Sequence, residues 1–146
     1  MLNNYYVDTC IWLNLFKKEG DEKKGIPYWK LAEKFIEKIM QSKECKIFYS
    51  GIILRELQIK LREKEYFDRR SFIQREPYIV RIEVVKEDEI EARKLESFYD
   101  FEISFYDLVH IHICKRNNFI LVTRDKQLII VASDCGVIAR KPEELL

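Results

Sequence analysis

Asn117-Asn118-Phe119-Ile120-Leu121-Val122-Thr123-Arg124-Asp125-Lys126 is the stretch on which the fold turns. The paired asparagines are a turn signal. Phe119 to Thr123 is then almost entirely apolar and β-rich, as befits a strand covered on both faces. Asp125 follows at its end, and Lys126 to Ser133 reads as a short helix. Gly136 suits the exit turn, and Val137 to Ala139 reads as one more strand.

The same grammar recurs towards the N-terminus. Tyr5-Tyr6-Val7 is a short β-rich run closed by Asp8, and Ile11, Trp12, Leu15 and Phe16 then fall at helical spacing. Lys17 to Gly25 is charged and reads as a loop. Pro27 can open the next helix, with Leu31, Phe35, Ile36 and Ile39 as its stripe. Cys45 to Tyr49 reads as a strand, and Ser50 can cap a helix that buries Ile53, Leu54, Leu57 and Leu61 and carries Glu56. Glu63 to Glu76 is densely charged but offers Tyr66, Phe67, Phe72 and Ile73 to a further helix, which Pro77 ends. Tyr78 to Val85 suggests a strand. Asp88 to Tyr99 reads as an amphipathic helix using Ile90, Leu95, Phe98 and Tyr99. Ser104 opens another helix, Phe105 to Lys115. Strands alternating with helices imply a parallel sheet covered on both sides.

The whole chain sets outer limits. Its 146 residues suit a single domain spanning 1–146, with 47% hydrophobic and 35% charged residues. No apolar run approaches the roughly 18 residues of a membrane span. The opening Met1-Leu2-Asn3-Asn4-Tyr5 lacks a basic signal-peptide region, so the expected location is cytoplasmic. Four cysteines, Cys10, Cys45, Cys114 and Cys135, are widely separated, which argues against a zinc site or a disulfide framework. Cys10, Cys45 and Cys114 read as small buried hydrophobes. A net charge of +1 gives no global basic field for nucleic acid, though local patches are allowed.

Four carboxylates carry the chemistry: Asp8, Glu56, Asp107 and Asp125. Taken singly, each has a structural use. Asp8 and Asp125 can cap helices, Asp107 stands three residues after Ser104 at capping-box spacing, and Glu56 can pair with Lys60 one turn on. Together they read differently. In an open α/β sheet the strand ends on one edge line a shared crevice, and clustered carboxylates there suit a hard divalent cation. His110, one turn beyond Asp107, reads as a half-buried helix residue that edges the site.

The runs Tyr6-Val7-Asp8-Thr9, Ser50 with Arg55-Glu56-Leu57, Ile103-Ser104-Phe105-Tyr106-Asp107 and Leu121-Val122-Thr123-Arg124-Asp125 resemble the PIN domain. They are similar in particular to VapC-type toxins of type II toxin–antitoxin systems. The closing Val137 to Leu145 also looks like the end of that family. The resemblance implies a three-layer α/β/α fold around a parallel sheet of about five strands. It further implies a Mg²⁺- or Mn²⁺-dependent endoribonuclease, a homodimer, and a small antitoxin that reaches into the acidic site. Asp8, Glu56, Asp107 and Asp125 match the family's acidic positions, and Thr123 matches its hydroxyl. A fifth acid often follows two residues after Asp125; here that position is Gln127, which adds no charge.

Physical chemistry assigns provisional roles. Two carboxylates about 4 Å apart repel by roughly 4 kcal/mol at an effective dielectric near 20. A divalent ion reverses that sign and can polarise a phosphate. Asp8 and Asp107 are expected as direct ligands, with Asp125 completing the set directly or through water. Glu56 is expected to orient or deprotonate the attacking water, and Thr123 to support Asp125 or a water beside the ion. Arg55, Arg124 and Lys126 flank the acids and are candidates for RNA contact; Tyr106 and Trp12 could stack on bases, with core packing preferred for Trp12. Arg69 and Arg70 read as part of a solvated charged face. The competing readings are a PIN nuclease of RNA processing without an antitoxin and a non-catalytic PIN-like scaffold. A phosphotransfer receiver lacks its paired acid and its late lysine.

Overall fold

The computed structural model describes residues 3–146; Met1 and Leu2, the start of the N-terminal run read above, lie outside the described residues. Five short strands pair in parallel throughout: β1 (Tyr5–Val7), β2 (Ile47–Tyr49), β3 (Ile79–Arg81), β4 (Ile120–Val122) and β5 (Ala139–Arg140). Their spatial order is β3-β2-β1-β4-β5. The chain thus builds outward from β1 to one side and then returns to build on the other. β1 and β4 are the neighbours at which the direction reverses, and ligands of open α/β sheets bind outside the carboxyl ends of such strands.

Among the described residues seven helices cover the sheet: α1 (Thr9–Phe16), α2 (Tyr28–Gln41), α3 (Gly51–Lys60), α4 (Glu63–Arg75), α5 (Lys86–Phe98), α6 (Phe105–Asn117) and α7 (Lys126–Asp134). The result is the expected three-layer α/β/α architecture. All three residues of β1 are buried, because the strand is central and covered twice. Successive side chains of a strand face opposite layers. Tyr5 meets Phe35 of α2 edge-on at 5.2 Å between centroids, whereas Tyr6 lies against His110 of α6. α6 is itself buried over most of its surface, from Leu108 to Cys114. It stops at Asn118, whose φ of +57° is a left-handed conformation that asparagine tolerates.

Several sequence expectations need correction. Only Ile79–Arg81 of the Tyr78–Val85 run pairs as a strand, because β3 is an edge strand with one neighbour. The last strand is Ala139–Arg140 rather than Val137–Ala139, since the Val137 amide bonds to Ala132 O and closes the exit of α7. Ser50 precedes α3 but its hydroxyl does not cap it; it bonds to Tyr6 instead. Ile90 and Phe98 of α5 face solvent, at 45% and 75% exposure.

What α5 buries includes Asp88, and the reason is electrostatic. Arg116 of α6 donates to both its oxygens, from Nε at 2.8 Å and from Nη2 at 3.0 Å. His112 Nδ1 lies 2.6 Å away and the Val85 amide donates at 2.9 Å. Burial pushes this carboxyl's pKa up, but the bonds from Arg116, Val85 and His112 outweigh it and hold the pKa below the usual value. This clamp ties α5 to α6, the helix that carries Asp107 and His110.

Candidate metal centre

Asp8 follows β1, and its amide still bonds to Val122 O at 2.9 Å, so the strand pairing fixes where its carboxylate points. Oδ1 accepts from the Thr9 amide at 2.8 Å, and Oδ2 accepts from Thr123 Oγ1 at 2.8 Å. Thr123 is fully buried at the end of β4. Its hydroxyl therefore joins the two strands of the switch point through their first residues beyond the sheet. The expected support of Asp125 by Thr123 is realised differently: Thr123 Oγ1 accepts from the Asp125 amide at 3.2 Å while donating to Asp8.

Asp107 reaches the same place from α6. Ser104 caps that helix by accepting from the Asp107 amide at 3.1 Å, which sets the carboxylate one turn inside the helix. Asp8, Asp107 and His110 each offer a ligand atom, all within 4.8 Å of one another. No other group of three or more such side chains is found among the described residues. Burial, and then the Asp8 charge, push the Asp107 carboxyl up to about 6. Neither Asp8 nor Asp107 makes an ion pair among the described residues, the opposite of Asp88.

Both nitrogens of His110 are already engaged. Nε2 lies 2.8 Å from Glu56 Oε1, and Nδ1 lies 2.6 Å from the Tyr6 hydroxyl. An ionised carboxylate only accepts, so Nε2 donates; a neutral ring then accepts at Nδ1, and Tyr6 donates. Ser50 Oγ lies 2.8 Å from the Tyr6 oxygen and completes the chain as donor. His110, Tyr6 and Ser50 are fully buried, so no water competes. Using His110 as a metal ligand would break this chain. The side chains left free to hold a hard cation are therefore the two aspartates, while His110 holds Glu56. The expected half-buried residue at the edge is instead the anchor beneath the site. The Glu56–Lys60 pairing is likewise replaced by Glu56–His110.

The carboxylates open into a cavity of about 350 Å³ lined by Asp8, Cys10, Leu13, Glu56, Lys60 and Asp107, among others. Cys10 is not simply an apolar filler. Burial, and then Asp8, push its thiol up to about 12, and the protonated thiol donates to Asp8 Oδ2 at 3.3 Å. Lys60 brings a cation to the wall, a contribution its sequence neighbours did not single out.

The remaining expected site residues lie differently. Asp125 is exposed and its Oδ1 caps α7, accepting from the Leu128 amide at 3.1 Å. It is not within the group formed by Asp8, Asp107 and His110. Arg124 is held rather than free: its guanidinium donates to Asn14 at 3.2 Å and to both oxygens of Glu143 at 2.9 and 2.8 Å, and stacks over Tyr28 at 4.0 Å. Lys126 and Arg55 are exposed, and Trp12 is fully buried in the core. Arg69 and Arg70 are half-buried, lying 4.8 Å over Phe16 and 4.9 Å over Phe67 respectively, so they are not merely solvated charges.

A parallel sheet with an acidic crevice at its switch point, backed by a buried hydrogen-bond chain, defines an open α/β protein whose clustered carboxylates lie at one sheet edge. The PIN-domain profile matches residues 5–133, and the chain belongs to the PIN-domain family. No curated protein matches the sequence. Among solved structures the fold is similar to VapBC2 from Rickettsia felis bound to a DNA fragment from their promoter, at 17% identity and a TM-score of 0.68, covering 94% of this chain and 98% of that one. It is also similar to Mycobacterium tuberculosis VapC20, described as a sarcin-ricin loop cleaving toxin, at 17% identity and 0.69, covering 97% and 100%. A toxin–antitoxin complex from Klebsiella pneumoniae is similar at 16% identity and 0.62, covering 94% and 97%. No helix among the described residues is long and apolar enough to cross a membrane.

Proposed function

We propose that this protein is a Mg²⁺- or Mn²⁺-dependent endoribonuclease of the VapC type, the toxin of a toxin–antitoxin pair. The observation that carries the reading is the meeting of Asp8 and Asp107 at the switch point, with ligand atoms within 4.8 Å of each other, where burial and then the Asp8 charge raise the Asp107 carboxyl to about 6. Such a donor set suits a hard ion with oxygen preference. Asp8 and Asp107 would hold the ion, and Asp125 would complete the site directly or through water. When bound, the ion supplies charge neutralisation to the scissile phosphate and lowers the cost of activating water.

The protein's own groups supply the rest. Glu56 is held by His110 with one oxygen and leaves the other to orient an attacking water and accept its proton. The chain Ser50–Tyr6–His110 keeps that carboxylate in place. Thr123 and Cys10 donate to Asp8 Oδ2 and so fix its plane. Lys60 stands at the cavity wall to meet phosphate oxygen. A small antitoxin belongs to the same proposal, supported by a structural neighbour described as a toxin–antitoxin complex, and a homodimeric state is proposed with it from the family resemblance.

The test is to express the wild-type protein and Asp8→Asn and to map RNA ends, followed by incubation of purified protein with RNA in Mn²⁺, Mg²⁺ or chelator. New ends that require both Asp8 and the divalent ion are expected. Equal cleavage by Asp8→Asn, or cleavage undiminished by chelator, would refute the assignment.

A further inference from the structure

A second concavity lies along the same edge of the sheet, beyond β2 and β3. This groove of about 270 Å³ is lined by Gly51, Arg55, Arg81, Glu83 and Tyr106, among others. We propose that it is the subsite that takes the sugar–phosphate chain and one base of single-stranded RNA as the strand leaves the acidic cavity, an inference that rests on the nuclease reading above.

Placement is the first argument. Arg55 immediately precedes Glu56 on α3, and Tyr106 immediately precedes Asp107 on α6. Adjacent helix residues point about 100° apart. Each acid therefore faces the cavity while its neighbour faces the groove, and the two concavities share α3 and α6 as a common wall. A strand cut at the acids needs only to cross that wall.

Charge is the second. Arg81 ends β3, and its guanidinium lies at the first residue of α3, where a Cβ on Gly51 would come within 3.1 Å of Nη2. A cation over a helix N-terminus is unfavourable alone, because both ends are positive. An anion placed between them reverses that. Glu83 accepts from Arg81 Nε at 3.0 Å and lies in the groove as a carboxylate. That pair is solvent-exposed and therefore weak, so it orients Arg81 without cancelling it. Arg55 is exposed and makes no ion pair among the described residues.

Aromatic surface is the third. Tyr106 is 47% exposed, with one edge against Phe105, and can stack on a base. On the opposite flank Arg124 is locked to Glu143 and is not free to meet a phosphate. Two arginines beside an open aromatic ring suit phosphate plus base better than a peptide carboxylate.

The test uses the full chain in an Asp8→Asn background, so that RNA binds without being cut. The probe is a short fluorescein-labelled single-stranded RNA of mixed sequence. Arg55→Gln with Arg81→Gln should raise Kd about tenfold and reduce the slope of log K against log salt by about 1.4, from two phosphate contacts at roughly 0.7 each. Tyr106→Ala should weaken binding about tenfold and leave that slope unchanged. Arg55→Lys with Arg81→Lys should restore the slope, which separates lost charge from lost fold. Lys23→Gln with Lys24→Gln, on a distant exposed turn, should change neither quantity. If the Arg→Gln protein keeps the Kd and slope of its Asp8→Asn parent while the wild-type protein cleaves RNA in Mn²⁺, the groove is not the RNA path, and a protein partner becomes its occupant. If the wild type neither cleaves nor binds the RNA, the nuclease reading falls and takes this one with it.

Discussion

Asp88 and Asp107 are two withdrawn carboxyl groups in the first turns of adjacent helices, and the protein treats them in opposite ways. Asp88 receives two bonds from Arg116, one from His112 and one from a backbone amide, and its pKa is held low. Asp107 faces Asp8 and Glu56, no arginine answers it, and its pKa is pushed up to about 6. The first acid is neutralised from within the chain and serves the fold. The second, on the proposed reading, takes its charge from a bound cation. Buried acids without an internal cation are thus the ones to associate with ligand chemistry.

The largest expected effect breaks the internally neutralised acid. Asp88→Ala strands Arg116 and His112, and urea denaturation should show a loss of about 3–5 kcal/mol. A loss below about 1 kcal/mol would mean that α5 and α6 are held by their apolar contacts alone. Next comes the acid left open. Asp107→Asn should lower Mn²⁺-dependent RNA cleavage by more than about a hundredfold, since even partners outside the ligand set cost ten- to hundredfold. The same change should raise the melting temperature of the metal-free protein by relieving like charge. A metal-free protein that melts lower than wild type would show that Asp107 is a structural acid like Asp88.

Tyr6→Phe addresses the support beneath Glu56. It leaves His110 Nδ1 and Ser50 without their shared partner, so kcat should fall about tenfold with KM unchanged. A rise in KM alone would assign the chain to substrate binding instead. The smallest effect is the pH response of the clamp. A carboxyl whose pKa is lower folded than unfolded contributes stability above the unfolded value, near 3.9, and loses it as pH falls through the folded value. Wild-type stability should therefore drop below roughly pH 4, and Asp88→Asn should lack that component of the drop. Parallel pH curves for the two proteins would contradict the depressed pKa.

Much of this was legible before coordinates. All five strands and the helices between them follow from apolar runs and their punctuation, because a doubly covered strand such as Ile120–Val122 has an unmistakable composition. The mismatches fall at edges: Tyr78 to Val85 reads as a strand but only Ile79–Arg81 pairs, because β-branched residues continue past the last paired one. Asp8 and Asp107 could be matched by motif. His110 could not be recognised as the anchor of Glu56, because its other partner, Tyr6, is 104 residues away and lies on the opposite side of a strand–helix contact. The Asp88 clamp leaves no local signal in the sequence, because Arg116 lies 28 residues further on. The Arg124–Glu143 clamp was hidden for the same reason: a guanidinium beside an acidic motif looks available until the chain's end folds over it.

The central claim is that Asp8 and Asp107 form one divalent-cation site at the switch point. Calorimetric titration of the metal-free protein with Mn²⁺ tests it most directly, comparing wild type, Asp107→Asn and Asp125→Asn. One binding event in wild type, abolished by Asp107→Asn and only weakened by Asp125→Asn, is the predicted result. Undiminished Mn²⁺ binding by Asp107→Asn, or none by the wild type, would contradict it.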